Sequence, residues 1–291
     1  ANGCRNPAIP RSVDLVVLGD SVTIAQNSKN DIADFIRKTG MSVLNLGFGG
    51  YGPFHQRDAY FKYILGPNIH HDAILINFCF CNDVENAQSY QRILRTGGTW
   101  RDYLGSTPNK TAFPFKFDPP WTISILFNLP FKVVQQYRNF RASPKNIQVR
   151  LPRGDIETSG WLLPSEPRNL KSEAWGEAEI ALSAIIRGAS AVGAKAILAY
   201  YPDTAQIYMP YISSPVLAKK AARRAHKNAT DRLERLARRE GGIFIDYTEP
   251  LQHGNAEKQV TTQNTDYHPN INGVEIMAET AIPVVRQVLG R

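Results

Sequence analysis

The chain has 291 residues, of which 43% are hydrophobic and 21% charged, a composition typical of one large globular domain or of a domain with an insertion. Its net charge of +8 suggests acidic partners such as anionic polysaccharide, nucleic acid or a membrane surface. No zinc-finger spacing, helix-turn-helix pattern or aromatic RNA-binding motif is present, so we expect no nucleic acid partner. Two interpretations of the basic surface remain open, namely that it binds an anionic polymer or that it is only solvated. No run of about 18 apolar residues occurs, so we expect no transmembrane helix within this chain, and no membrane anchoring is visible in it.

The first predicted strand, residues 13–18, ends in a possible nucleophile. It follows a polar lead-in over residues 1–12, whose abrupt start fits a mature form with its leader removed. The strand is apolar enough to be buried in a parallel sheet, and Gly19, Asp20 and Ser21 come directly after it. Open α/β sheets bind ligands at this end of their strands, so Ser21 is a candidate catalytic serine. Alternatively, Asp20 or Ser21 only caps the following helix.

Two further βα units follow, with a helix over 28–39, a strand over 42–46, a helix over 54–65 and a strand over 72–80. The first of these helices has acidic residues near its start and basic residues near its end, an order that is favourable with the helix dipole. The second strand runs into a turn with four glycines that includes Gly50, which suggests close approach of the backbone to something. A dinucleotide-binding turn fits this position poorly, because the run ends in proline. Three βα units in succession predict a parallel sheet with right-handed crossovers.

The third strand delivers polar residues to the same edge, where Asn82 and Asp83 follow it. Cys79 and Cys81 lie on this strand two residues apart, and neighbours in a strand are poorly placed for a disulfide. We therefore expect both to be small buried residues, and we expect no metal site because a second pair of zinc ligands is missing.

Residues 87–172 break the βα rhythm and contain most of the tryptophans, many prolines and a partly amphipathic stretch over 121–140. We interpret this segment as an insertion or lid within a single domain spanning 1–291. Its aromatic residues either pack the insertion onto the core, which we favour, or line a substrate groove.

The pattern then resumes with alternating helices and strands. We interpret a basic helix over 215–240 as an ordinary amphipathic surface helix. Binding of a polyanion to its outer face is the less favoured alternative. The segment 265–273, which contains Asp266 and His268, opens the last helix. In chain order the predicted elements are a helix at 173–192, a strand at 194–201, the basic helix, a strand at 242–246, a polar loop at 252–264 and a helix at 271–288.

Four blocks taken together resemble the SGNH, or GDSL, hydrolase superfamily. They are Gly19-Asp20-Ser21, the turn from Asn45 to Gly50, Asn82-Asp83, and Asp266-Tyr267-His268-Pro269-Asn270. The resemblance covers the whole chain except 87–172. It implies a three-layer α/β/α sandwich with a parallel five-stranded sheet, the flavodoxin-like SGNH fold, plus the inserted segment. No Gly-x-Ser-x-Gly elbow is present, which argues against an α/β-hydrolase.

The resemblance also implies the roles of the residues and no cofactor. Ser21 would be the nucleophile, His268 its base and later the acid, and Asp266 the group that orients the imidazole. The oxyanion hole would comprise the backbone N–H groups of Ser21 and Gly50 and the Asn82 side chain, with Asp20 and Asp83 in support. Asp20 is expected to fix the turn by bonding to nearby backbone.

The sequence departs from the common family pattern at three places, one of which is that Thr23 and the Gly52-Pro53 turn resemble a bacterial subgroup. Phe80 and Cys81 precede Asn82 where the family usually has Gly-x, which would restrict the acyl group or shift the backbone. Asp266 and His268 are two residues apart, whereas many members have three, so Asp266 is the less secure member of the triad. The two-residue spacing resembles that of SGNH-like alginate O-acetylation proteins.

We therefore predict a serine esterase that cleaves an O-acyl ester of a carbohydrate or another small acyl ester, without a metal. An O-acyltransferase that passes the acyl group to a sugar hydroxyl is the alternative, and a non-catalytic carbohydrate-binding protein is a third hypothesis. The resemblance and the abrupt start lead us to expect a bacterial periplasmic or other extracytoplasmic location.

Overall fold

A computed structural model describes residues 6, 10–25, 28, 30–97, 146–159, 172–214, 216–262 and 267–291. None of the helices in these ranges is both long and apolar enough to cross a bilayer. The α-helices are α1 (Ile32–Arg37), α2 (Pro53–Tyr60), α3 (Asp83–Arg95), α4 (Ser172–Ala191), α5 (Thr204–Tyr208), α6 (Val216–Arg239), α7 (Thr248–Glu257) and α8 (Ile271–Leu289). A π-helix (Phe61–Leu65) continues α2, and a 3-10 helix (Met209–Tyr211) continues α5.

The fold is built on a parallel sheet of five strands, in the order β2-β1-β3-β6-β8. This is the flavodoxin-like order, in which the strand sequence reverses between the first and third strands, and it confirms the predicted fold class. Because all five strands are parallel, their carboxyl ends lie at one edge of the sheet. The strands are β1 (Ser12–Leu18), β2 (Val43–Asn45), β3 (His70–Cys79), β6 (Lys195–Tyr201) and β8 (Ile243–Asp246).

Helices cover both faces of this sheet, which explains why its strands are almost wholly apolar. Successive side chains of a strand point to opposite faces. In β1, Val16 packs into a core with Leu182 of α4, while Leu15 packs into a second core with Met277 of α8. Each core is therefore a layer between sheet and helices, which gives the three-layer sandwich.

Several helices differ from the sequence prediction, since α1 is shorter than the helix predicted over 28–39 and α5 was not predicted. Helix α3 continues to Arg95, past the expected start of the insertion at residue 87, because Val84, Ala87 and Tyr90 form a buried stripe on one face. Helix α7 occupies part of the predicted polar loop at 252–264. Its Pro250 lies in the first turn, where a missing N–H is tolerated, and Leu251 is fully buried.

A second, antiparallel sheet of three strands was not predicted. Its strands are β4 (Asn146–Leu151), β5 (Gly154–Ser159) and β7 (Ile212–Ser214), in the order β5-β4-β7. The first two belong to the segment interpreted as an insertion. Arg153, between them, donates from Nε to the carbonyl of Asn255 in α7 at 3.1 Å, which ties the hairpin to that helix. The predicted amphipathic stretch at 121–140 lies outside the described residues, and the extent of the single domain stays a prediction.

Candidate active site

Ser21 lies in a turn directly after β1 and is 4% exposed. A side chain at Gly19 would collide with Thr23, so the chain needs glycine to enter this turn. The Asp20 carboxylate accepts a hydrogen bond from the backbone N–H of Val22 at 2.9 Å and thereby holds the turn closed. Asp31, not Asp20 or Ser21, is the N-cap of α1. The alternative that Ser21 is present only to cap that helix therefore does not hold.

The glycine turn after β2 is held beside Gly19. The pairing of β1 with β2 continues past the strand, because Leu46 N–H donates to the Val17 carbonyl at 2.8 Å and Phe48 N–H donates to the Gly19 carbonyl at 3.2 Å. Gly50 has a φ of +81°, in the left-handed region that favours glycine. The turn that contains Gly50 is thus bonded to Gly19, the residue that directly precedes Asp20 and Ser21.

Asn45 anchors the start of this turn from inside the protein. Its Oδ1 accepts from Gly47 N–H at 2.8 Å, and its Nδ2 donates to Asp31 Oδ2 at 2.8 Å. Burial raises the pKa of Asp31, and its hydrogen bonds from the Asp34 N–H and from Asn45 oppose that rise. The last residue of β2 is therefore fixed both to the glycine turn and to the N-terminus of α1.

Asn82 and Asp83 follow β3 and begin α3, with Asn82 as the N-cap. Asp83 turns back toward the strand, where its Oδ2 accepts from Cys79 N–H at 2.8 Å. The Asn82 side chain lies near enough to the buried Asp20 carboxylate to lower its pKa, which partly offsets the rise that burial causes. Asn82 thus lies beside the residue that precedes Ser21.

Cys79 and Cys81 form a disulfide, so the expectation of two separate small buried residues is wrong. Two residues of a regular strand span about 6.6 Å. Here β3 ends at Cys79 and the chain turns, which brings the two Cα atoms to 5.2 Å, within the range that a disulfide bridges. Within the described ranges, Asp20 and these two cysteines form a group of three potential metal ligands, but sulfurs joined in a disulfide are not thiolate ligands.

The structure brings His268 to Ser21, although 247 residues separate them in sequence. His268 Nε2 lies 2.9 Å from Ser21 Oγ, a hydrogen-bond distance. The His268 carbonyl accepts from Thr262 N–H at 2.9 Å, and the Tyr267 ring stacks on the imidazole with centroids 4.3 Å apart. The imidazole is therefore held from its backbone and from one ring face.

Two residues outside the predicted site also hold the histidine loop. Tyr201, the last residue of β6, donates from its hydroxyl to the Tyr267 carbonyl at 2.6 Å. Asn270 caps α8 by accepting from Asn272 and Gly273 N–H, and its Nδ2 donates to the Thr261 carbonyl at 3.0 Å. Asn270 belongs to the quoted sequence block, but no role was assigned to it. Tyr201 carried one usable signal, since it is a polar-tipped residue at the carboxyl end of a buried strand.

Asp20 and Asp83 form a buried pair of carboxyl groups beneath the site. Burial raises the pKa of Asp20, and burial raises the pKa of Asp83 well above its usual range. The neighbouring Asp20 charge raises the pKa of Asp83 further, while the Cys79 N–H and the Gln56 side chain oppose the rise. Two buried carboxylates that repel each other disfavour double ionisation, so Asp83 is harder to ionise than an ordinary aspartate.

A cleft between α2 and α3 begins one residue after Gly50. Tyr51 stacks on His55 with ring centroids 5.2 Å apart, and His55 meets the edge of Tyr90 at 4.6 Å. Burial lowers the pKa of His55 to about 4, so this ring is neutral at neutral pH. Asp58 accepts a hydrogen bond from the Tyr90 hydroxyl. The cleft combines aromatic faces with polar atoms, and sequence reasoning did not identify it.

Of the predicted site residues, Ser21 and His268 are in direct contact, with Asp20 and Asn82 beside them. Gly50 lies on the turn paired to Gly19. Asp266 lies outside the described residues.

The sequence matches no protein-family model and no curated protein. Among solved structures, the chain is similar to an acetylxylan esterase from Geobacillus stearothermophilus, with 12% identity and a TM-score of 0.48 over 94% of each chain. It is also similar to a GDSL-like lipase from Bacteroides thetaiotaomicron, with 11% identity and a TM-score of 0.43 over 96% of this chain and 92% of that chain.

Proposed function

We propose that this protein is a serine esterase that hydrolyses an O-acyl ester of a carbohydrate or another small acyl ester. One observation carries the proposal, namely the 2.9 Å contact between His268 Nε2 and Ser21 Oγ at the carboxyl end of the sheet. A serine hydroxyl becomes a useful nucleophile when a base within hydrogen-bond reach takes its proton. The location agrees with where open α/β sheets bind their ligands.

In the proposed reaction, Ser21 Oγ attacks the ester carbonyl carbon while His268 Nε2 takes the hydroxyl proton. The tetrahedral intermediate then breaks its bond to the alcohol oxygen, which leaves with the proton from the imidazolium. Water attacks the resulting acyl-enzyme with His268 again as the base, and Ser21 is regenerated as the carboxylic acid departs. The role that we propose for Asp266 is to accept the Nδ1 proton and so fix the tautomer.

The developing oxyanion needs donors that are already in place. We propose the backbone N–H groups of Ser21 and Gly50 and the Asn82 side chain for this role. The hydrogen bonds that fix Asn45, Phe48 and Asp20 support it, because they hold the glycine turn and the serine turn against each other.

The proposed substrate is an acylated carbohydrate because of the aromatic cleft that starts at Tyr51. A flat aromatic face beside a carboxylate suits the apolar face and hydroxyl groups of a sugar ring, and the partly exposed Tyr51 and Asp58 provide these groups next to Gly50.

The test is the turnover of p-nitrophenyl acetate and of acetylated oligosaccharides by the wild type, Ser21→Ala and Ser190→Ala. Ser190 is an exposed serine in the last turn of α4, at the opposite edge of the sheet, and serves as the matched control. We expect activity, and labelling by a fluorophosphonate probe, to disappear in Ser21→Ala and to persist in Ser190→Ala. Equal rates in all three proteins would show that Ser21 is not the nucleophile.

Adding an unacylated oligosaccharide to the same assay separates hydrolysis from transfer. Free acid as the sole acyl product supports the esterase. An acylated acceptor would show that a sugar hydroxyl intercepts the acyl-enzyme, in which case the protein is a transferase.

A further inference from the structure

Helix α6 carries almost all of the chain's excess charge. Nine basic and two acidic side chains give its 24 residues +7 of the chain's +8. The two acidic residues are Asp231 and Glu234, so the first fifteen residues of the helix contain no acid. The basic residues are Lys219, Lys220, Arg223, Arg224, Lys227, Arg232, Arg235, Arg238 and Arg239.

The two halves of α6 differ in how these cations are neutralised. From Lys227 to the end of the helix most cations are paired, since Lys227 pairs with Asp231 at 2.8 Å, Arg232 with Glu179 of α4 at 2.8 Å and Arg238 with Glu234 at 2.9 Å. Arg235 is the exception, because it is exposed and has no ion pair within the described residues. In the first half, Lys220 and Arg223 are exposed and form no ion pair with any residue in the described part of the chain. The unneutralised charge is therefore concentrated in the first turns of the helix.

This arrangement opposes the stability of the helix itself. Lys219, the fourth residue of the helix, lies near the positive end of the macrodipole. Lys219 with Arg223, and Lys220 with Arg224, are like charges four residues apart, a spacing that is destabilising. The helix is held in place by its apolar face, which buries Ala222, Ala225, Ala229, Leu233 and Leu236, so folding does not require the cations.

The basic turns lie at the same edge of the sheet as Ser21 and His268. Helix α6 starts after β7, which follows the carboxyl end of β6, and the helix then runs back toward the start of β8. Strands β1 and β8 are three positions apart in the sheet, or about 14 Å at a strand spacing of about 4.8 Å. One extended polymer can therefore contact the basic turns and the reacting serine together.

We propose that the first turns of α6 bind a carboxylate-bearing polysaccharide and that this polymer carries the ester hydrolysed at Ser21. The second half of this statement rests on the proposed function. Arginine matches carboxylate geometry and a repeating polymer supplies carboxylates in series.

The exposed face of α6 distinguishes this partner from other polyanions. The large exposed apolar side chains in the described part of the chain are Phe61, Leu94, Ile180, Val192, Ile243 and Ile271, and none lies in residues 219–239, the part of α6 whose side chains are described. A membrane-binding helix inserts such residues into the lipid interface. The exposed positions of the helix also carry no aromatic ring on which nucleic acid bases could stack.

The experiment measures binding of fluorescently labelled oligogalacturonate and of neutral dextran oligomers to the protein with Ser21→Ala, which removes turnover. The test variant combines Lys220→Glu with Arg223→Glu. The control combines Lys195→Glu with Arg286→Glu, two exposed cations at the opposite edge of the sheet, and changes the net charge equally. Both substituted positions are exposed and the apolar face of the helix is unchanged, so we expect the test variant to fold, as checked by thermal unfolding.

We expect the uronate to bind more tightly than dextran, the test variant to lose about tenfold or more in affinity, and the control to lose less than about twofold. Added salt should weaken uronate binding in the wild type more steeply than in the test variant. Equal losses in the two variants would overturn the proposal, as would equally tight binding to anionic vesicles or to DNA of the same charge.

A second readout separates this inference from the proposed function. With Ser21 restored, the test variant should lose kcat/KM on acetylated oligogalacturonate and keep the wild-type rate on p-nitrophenyl acetate. If wild type turns over neither ester but still binds uronate through α6, the esterase proposal fails and the binding surface stands.

Discussion

Gly50 can be tested against a second glycine that has the same backbone conformation. Gly50 has a φ of +81° and Gly40 a φ of +87°, and at both positions an added Cβ meets no atom within 4 Å. Gly40 precedes β2, at the opposite end of that strand from the glycine turn. Replacement by alanine should therefore act through the backbone alone at both sites, since no side chain has to move.

The left-handed conformation costs an L-residue about 1–2 kcal/mol, partly offset because alanine also restricts the unfolded chain. Gly50→Ala and Gly40→Ala should each lose about 1 kcal/mol of unfolding free energy in urea titrations. Only Gly50→Ala should also lose rate, by about 100- to 1000-fold on p-nitrophenyl acetate, because a displaced Gly50 N–H no longer stabilises the oxyanion. Equal activity in the two variants would refute the assignment of Gly50 to the oxyanion hole.

Two further variants test the support of the histidine loop and the titration of a buried acid. Tyr201→Phe removes the hydrogen bond to the Tyr267 carbonyl and should lower kcat several-fold with little change in KM. Tyr200→Phe loses an equally short bond, to Gln206, and should lose about 1 kcal/mol of stability without that rate effect; the reverse pattern would contradict the role of Tyr201. Burial raises the pKa of Asp203 to about 7, so folding takes up a proton between about pH 4 and pH 7. The stability of wild type relative to Asp203→Asn should then fall by up to about 1.4 kcal/mol per pH unit across this range and level off above it, as measured by urea unfolding; a difference independent of pH would contradict the shift.

Much of the fold could be predicted because its strands are short apolar runs bounded by glycine and polar residues. Residues 13–18 and 194–201 were placed within a residue or two of β1 and β6. Helix α7 was missed because a proline, a glycine and many polar residues hide its one fully buried leucine, Leu251. The second sheet was missed because β7 pairs with β4 across more than sixty residues, and a pairing of that kind leaves no local pattern.

The cysteine pair shows how a local rule fails when an element ends. Spacing of two along a strand argued against a disulfide, and that argument is sound within a regular strand. The structure ends β3 at Cys79, so Cys81 belongs to the turn that begins α3 and the two sulfurs meet.

The sequence by itself determined the positions of the five parallel strands and of the polar residues at their carboxyl ends. Apolar runs and the glycine or polar residues that end them are properties of short segments. Only the tertiary structure decided that His268 Nε2 contacts Ser21 Oγ, with Tyr201 and Asn270 holding the histidine loop. It also decided that the unneutralised charge of α6 faces the same edge as Ser21. These facts depend on how the strands are ordered in the sheet, and sheet order is set by packing between residues far apart in the chain.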